Sequence, residues 1–167
     1  MTTGEGRAGF RDNETAKGGT MSTTVDPVLD EVSPREAFDV LTTDPDTLLI
    51  DVRTQMEWET IGVPDMSQTS RPTVFVEWIS GPGQPPNHRF VEQLLEQAGG
   101  ELPSRMFFIC RSGARSAAAA QVVAAMAGQA GRQVHCTNVA EGFEGSPAYG
   151  PESGWQARGL PCKGYEA

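Results

Sequence analysis

The sequence predicts one α/β domain built on a mainly parallel sheet, and two observations carry that reading. Short apolar runs of strand length alternate with segments of helical pattern along the chain, and the runs are nearly continuous rather than alternating, as in strands covered on both faces. No internal repeat competes with this organisation. Residues 33–36 (SPRE) set a capping serine, a first-turn proline and an early glutamate ahead of Ala37, Phe38, Val40 and Leu41, which predicts a helix over 33–41. Residues 47–52 (TLLIDV) predict a doubly covered strand, and 73–78 (TVFVEW) read the same way. The stretch 81–86 (GPGQPP) is a loop, because its prolines and glycines remove donors and helical geometry. Phe90, Leu94 and Leu95 then mark a helix that ends near Gly99 and Gly100. A third buried strand over 106–109 (MFFI), a helix over 112–127 rich in Ala and Val, and a fourth strand over 133–139 complete the pattern. The 112–127 helix is small and apolar around much of its circumference, which fits burial on the sheet.

Composition bounds the function classes. The chain has 167 residues, 38% of them hydrophobic, and three Trp, which excludes a wholly disordered polymer. Residues 1–24 hold a single aromatic and many Gly and Thr, so a disordered N-terminal tail is expected there, with the domain over 25–167. Lys and Arg number 13 against 22 Asp and Glu, a formal charge of -9, which argues against nucleic acid and anionic membrane as partners. Three cysteines, Cys110, Cys136 and Cys162, without a Cys-x-x-Cys pair do not make a disulfide scaffold. The apolar run at 122–127 is far short of the ~20 residues a membrane helix needs. A soluble chain in the reducing cytoplasm is the expectation. His88 stands alone in the Pro-rich connection and His135 adjoins Cys136 on a strand whose neighbours point to opposite faces, so no metal site is expected. Cys136 reads as a small buried hydrophobe, and Cys162 as a thiol near the chain end.

Chemistry concentrates in residues 110–116, CRSGARS, between the 106–109 strand and the helix that follows. In parallel sheets ligands collect beyond the carboxyl ends of the strands, where a helix N-terminus offers unpaired N–H groups and a positive dipole end. A thiol of ordinary pKa is about 3% thiolate at pH 7, whereas one lowered to about 6.5 by such surroundings is about three-quarters thiolate. Cys110 is therefore the candidate nucleophile. Gly113 permits the positive φ that lets the N–H groups of Arg111, Ser112, Gly113, Ala114, Arg115 and Ser116 converge on one anion. Arg115 offers a planar fork to an oxyanion, Arg111 adds charge at the rim, and the hydroxyls of Ser112 and Ser116 are donors. The competing explanation, a buried cysteine before a solvated turn, accounts poorly for two Arg, two Ser and a Gly packed into six positions.

The loop resembles the active-site loop of the rhodanese family of sulfurtransferases, and further matches follow in order. Residues 49–53 (LIDVR), with Glu57 and Trp58 beyond, resemble the family's early strand motif; 138–143 (NVAEGF) resemble its late strand and glycine turn, and Gly154 and Trp155 its closing segment. The resemblance spans roughly residues 30–162. It implies a twisted, mainly parallel five-stranded sheet with helices on both faces. It also implies a thiosulfate sulfurtransferase that takes a sulfane sulfur from a small anionic donor onto Cys110 as a persulfide and passes it to a thiophilic acceptor, cyanide or a thiol, with no cofactor. Asp51 and Arg53, at the end of the early strand, are expected among the substrate-binding residues, with an ordinary structural ion pair as the alternative. The spacing Cys110 to Arg115 is Cys-x4-Arg, one residue shorter than the cradle of the cysteine phosphatases that share the fold, which favours sulfur over phosphate or arsenate. A non-catalytic binding module of the same fold is the remaining alternative. One departure stands out: where the family shows Gly-His-Ile-Pro-Gly-Ala, residues 61–66 read IGVPDM and the histidine is absent, which looks like a bacterial subgroup variant. The segment 71–90, with Trp78, is expected either to shape the pocket rim or to run as a solvated connection.

Overall fold

A computed structural model describes residues 28–81 and 83–167. The tail expected over 1–24 lies outside the described residues. Strands β1 (Val28–Val32), β2 (Thr47–Asp51), β4 (Val74–Phe75), β5 (Arg105–Ile109) and β6 (His135–Val139) form one sheet in the order β1-β6-β5-β2-β4, and every ladder in it is parallel. A separate antiparallel ribbon joins β3 (Val63–Pro64) to β7 (Cys162–Lys163). The α/β expectation holds: helices cover both faces of a five-stranded parallel sheet, the rhodanese-like arrangement.

Period-two alternation places the core. Leu48, Ile50, Met106 and Phe108 point to one face and pack with α3 (Phe90–Gln97) and α4 (Ala114–Gln129) through Phe90, Leu94, Ala119 and Val123. Leu49, Phe107 and Ile109 point to the other, against Ala37 and Leu41 of α1 (Pro34–Thr43) and against Phe143 and Trp155. The central strands are thus buried on both sides, which explains their unbroken apolar runs. Helix α1 starts as its sequence dictates. Ser33 Oγ accepts the Glu36 N–H, Glu36 accepts the Ser33 N–H, and Pro34 occupies the first turn.

Two expectations need correction, and two elements were not foreseen. The strand predicted over 73–78 lies at the sheet edge and pairs as a ladder only at Val74–Phe75, because partner strand β2 ends at Asp51; Val76 and Trp78 continue with single N–H bonds to the Asp51 and Val52 carbonyls. The helix predicted from 112 begins at Ala114, since Gly113 takes a left-handed conformation at the cap. Strand β1 and the seven-residue helix α2 (Gln55–Ile61) were not anticipated. Among the described residues no helix is long and apolar enough to cross a membrane.

Candidate active site

The sheet delivers Cys110 to the carboxyl end of β5, directly before α4. The loop between them rests on the turn after β6. Phe143 donates its N–H to the Cys110 carbonyl at 2.8 Å and Glu144 donates to the Arg111 carbonyl at 2.9 Å. Two glycines make that stacking possible. Gly113 holds φ +110°, and a Cβ there would collide with the Ala140 carbonyl oxygen; Gly142, at φ +73°, lies so close to the Arg111 carbonyl that a methyl group has no room.

Cys110 is 1% exposed, and its sulfur receives two donors: the Gly113 N–H at 3.1 Å and the Ser116 hydroxyl at 3.2 Å. Of the predicted cradle residues, Gly113 and Ser116 are buried beside the sulfur, Ser112 and Ala114 are exposed, and the first turn of α4 brings its unpaired N–H groups to the same loop. A neighbour that sequence reading gave no role completes the arrangement. Asn138, on β6, accepts from Ser116 at 2.6 Å and donates to the Gly113 carbonyl at 3.1 Å and to Glu31 of β1 at 3.0 Å. It lies in the 138–143 motif, but its contacts join three elements separated by tens of residues.

Both loop arginines face carboxylates. Arg115 spends its fork on Glu57, with bonds of 2.8 and 3.0 Å, and Arg111, mostly exposed, lies 3.5 Å from Glu144. Burial raises the Glu57 carboxyl, but bonds from Arg115 and from the Thr54 N–H outweigh it and hold the group at about 2. The same bond raises Arg115 further above its already high value. Glu57 is placed by the capping box of α2, which it forms with Thr54. That box is readable in the sequence; the pairing with Arg115, 58 positions away, is not.

Asp51 and Arg53 do not meet solvent and form the ion pair that stood as the alternative to substrate binding. Both side chains are fully buried and joined by a 2.7 Å ion pair; Arg53 also donates to the Gly62 carbonyl and stacks on the Phe143 ring at 4.3 Å. The pair supports the turn beneath the loop. A groove of about 480 Å³ runs beside the loop between Arg111, Arg115, Met56, Thr54, Ile79 and Gln84, so the 71–90 segment does reach the rim. Cys136 is fully buried in β6 and burial pushes its thiol up to about 12. Cys162 lies on β7, and partial burial of its sulfur likewise pushes its thiol up. His135 meets Asp30 of β1 at 3.0 Å.

No family model matches the chain. Uncharacterized proteins from Rickettsia conorii and Rickettsia montanensis are each 29% identical to it over 126 residues, covering 75% of this chain and 90% of theirs. Among solved structures, Rv0390 from M. tuberculosis superposes with a TM-score of 0.65 and is 35% identical, covering 81% of this chain and 98% of its own. The chain belongs to the family of Rv0390. The agreement with Rv0390 extends over the greater part of the described domain, so the sheet that carries Cys110 is the family's framework and not a local likeness of the loop. A polysulfide-sulfur transferase homodimer from Wolinella succinogenes is more distant, with a TM-score of 0.49 and 22% identity over 92% of this chain and 90% of that one, and does not speak for activity.

Proposed function

We propose that this member of the Rv0390 family is a sulfurtransferase that carries a sulfane sulfur on Cys110. The observation that supports the reading best is the pair of donors on the Cys110 sulfur, one from the backbone at Gly113 and one from Ser116, at the start of a sixteen-residue helix. Such a site stabilises one negative charge on sulfur without a net cation, because both loop arginines already face carboxylates. This fits a chain of formal charge -9 that handles a small anion: oriented N–H groups, not excess positive charge, hold it. The thiolate attacks the outer sulfur of thiosulfate, the S–S bond of the donor breaks, and sulfite leaves with the bonding pair. Cyanide or a thiol then attacks the outer sulfur of the persulfide, and the Cys110 thiolate returns. Asp51 and Arg53 act from beneath, by holding Phe143 and the turn that carries the loop.

The test is formation of thiocyanate from thiosulfate and cyanide, measured for the native chain and for Cys110→Ser. Activity in the native chain and none in the variant supports the proposal. Equal activity in both removes it, and hydrolysis of an aryl phosphate in place of sulfur transfer redirects the site to phosphate chemistry.

A further inference from the structure

The hydrogen-bond chain behind Cys110 contains more acceptors than protons, and the count has a consequence for the sulfur. The Ser116 hydroxyl has one proton and lies within donating distance of two acceptors, Asn138 Oδ1 at 2.6 Å and Cys110 Sγ at 3.2 Å. The Asn138 amide has one possible orientation. Both of its N–H groups face acceptors, the Glu31 carboxylate at 3.0 Å and the Gly113 carbonyl at 3.1 Å, so Oδ1 must face Ser116 and can only accept. Asn138 is 4% exposed and Ser116 is fully buried, so water does not arbitrate between the two acceptors.

We infer that Asn138 is a positioning residue that competes with Cys110 for the Ser116 proton, so that Ser116 donates to the sulfur only when the sulfur carries charge. With a neutral thiol the chain is complete: the Cys110 S–H points at Ser116 Oγ, and the Ser116 O–H points at Asn138 Oδ1. When the thiol proton leaves to solvent, the Ser116 proton turns to the anionic sulfur and Asn138 Oδ1 is left buried and unpaired. Asn138 thereby favours the thiol, and Ser116 favours the anion. The Gly113 carbonyl does not depend on Asn138 for a partner, because it also accepts the Ala117 N–H at 3.2 Å. Removal of the amide therefore frees the serine without freeing the loop. Glu31 is exposed, and water replaces the partner it loses. The other charged groups about the loop, Arg111, Arg115, Glu57, Glu144 and Asp51, keep their own partners and are not altered.

The purpose assigned to this device rests on the proposed sulfur chemistry, but its test uses no sulfur donor, so the two can fail separately. The rate of Cys110 alkylation by iodoacetamide, resolved by site, is followed against pH in the native chain, Asn138→Leu, Ser116→Ala and the double variant. Ser116→Ala is expected to raise the midpoint by about one unit and Asn138→Leu to lower it by about half a unit or more. In the Ser116→Ala background the asparagine substitution is expected to have no effect. An Asn138 variant that raises the midpoint or leaves it in place overturns the inference, as does a shift that persists without Ser116. If Asn138→Leu does not fold, Asn138→Ala is read by the same criteria; the opposite changes in bulk also separate loss of the acceptor from a change in burial.

Discussion

Two cysteines in this protein are equally hidden from water and differ in almost everything else. Cys110 and Cys136 are 1% and 0% exposed; Cys110 follows directly after β5, and Cys136 lies within the neighbouring β6, in register with Met106 at the far end of β5. Cys136 faces only apolar packing, and burial pushes its thiol up to about 12. Cys110 lies where the strand ends, and a backbone N–H and a hydroxyl point at its sulfur. Burial without donors makes a thiol inert; burial with donors makes a place for a sulfur anion. The contrast is therefore one of position along the strand, since only the carboxyl end meets a helix start.

Cys110→Ser is expected to reduce thiocyanate formation to the uncatalysed background; any retained turnover at Cys136 or Cys162 would erase the distinction. Gly113→Ala puts a methyl against the Ala140 carbonyl at a φ of +110°, so the cap must rearrange. A loss of roughly 2–4 kcal/mol in denaturant unfolding is expected, with Cys110 alkylation slowed toward that of Cys136. Glu57→Gln removes a charge-assisted bond to Arg115 and is expected to cost about 1–2 kcal/mol and several-fold in kcat/KM. The same ion pair gives a pH signature. Glu57 is held at about 2, below its ordinary 4.5, so its contribution is complete above about pH 4.5 and is lost as pH falls toward 2. Acid unfolding of Glu57→Gln should accordingly show a shallower dependence over that interval than the native chain does. Cys136→Ala is expected to cost about 1 kcal/mol of stability and to leave turnover within about twofold.

The parts of the molecule that sequence reading reached are those with local causes. The SPRE cap of α1, the unbroken apolar runs of β2 and β5 and the positive-φ glycine at the head of α4 each act on their immediate neighbours, and each has the expected structure. What it did not reach depends on distant partners. Strand β1 (VLDEV) looks polar because Asp30 and Glu31 turn sideways to Thr137, His135 and Asn138 on the adjoining strand. The β3–β7 ribbon pairs two-residue strands about a hundred positions apart in the chain. Arg53 and Asp51 were placed at the right strand end, but their burial under Gly62 and Phe143 has no local sign. Arg115 spends its fork on Glu57, far away in sequence, and the three partners of the Asn138 amide come from Ser116, Gly113 and Glu31, which only the fold brings together.

The central claim is that Cys110 accepts and carries sulfur. Site-resolved mass spectrometry of the folded native chain after treatment with thiosulfate addresses it directly. The expected result is one added sulfur atom on the Cys110 peptide, released by cyanide, and none on the Cys136 peptide. A folded chain whose Cys110 peptide stays unmodified would contradict it.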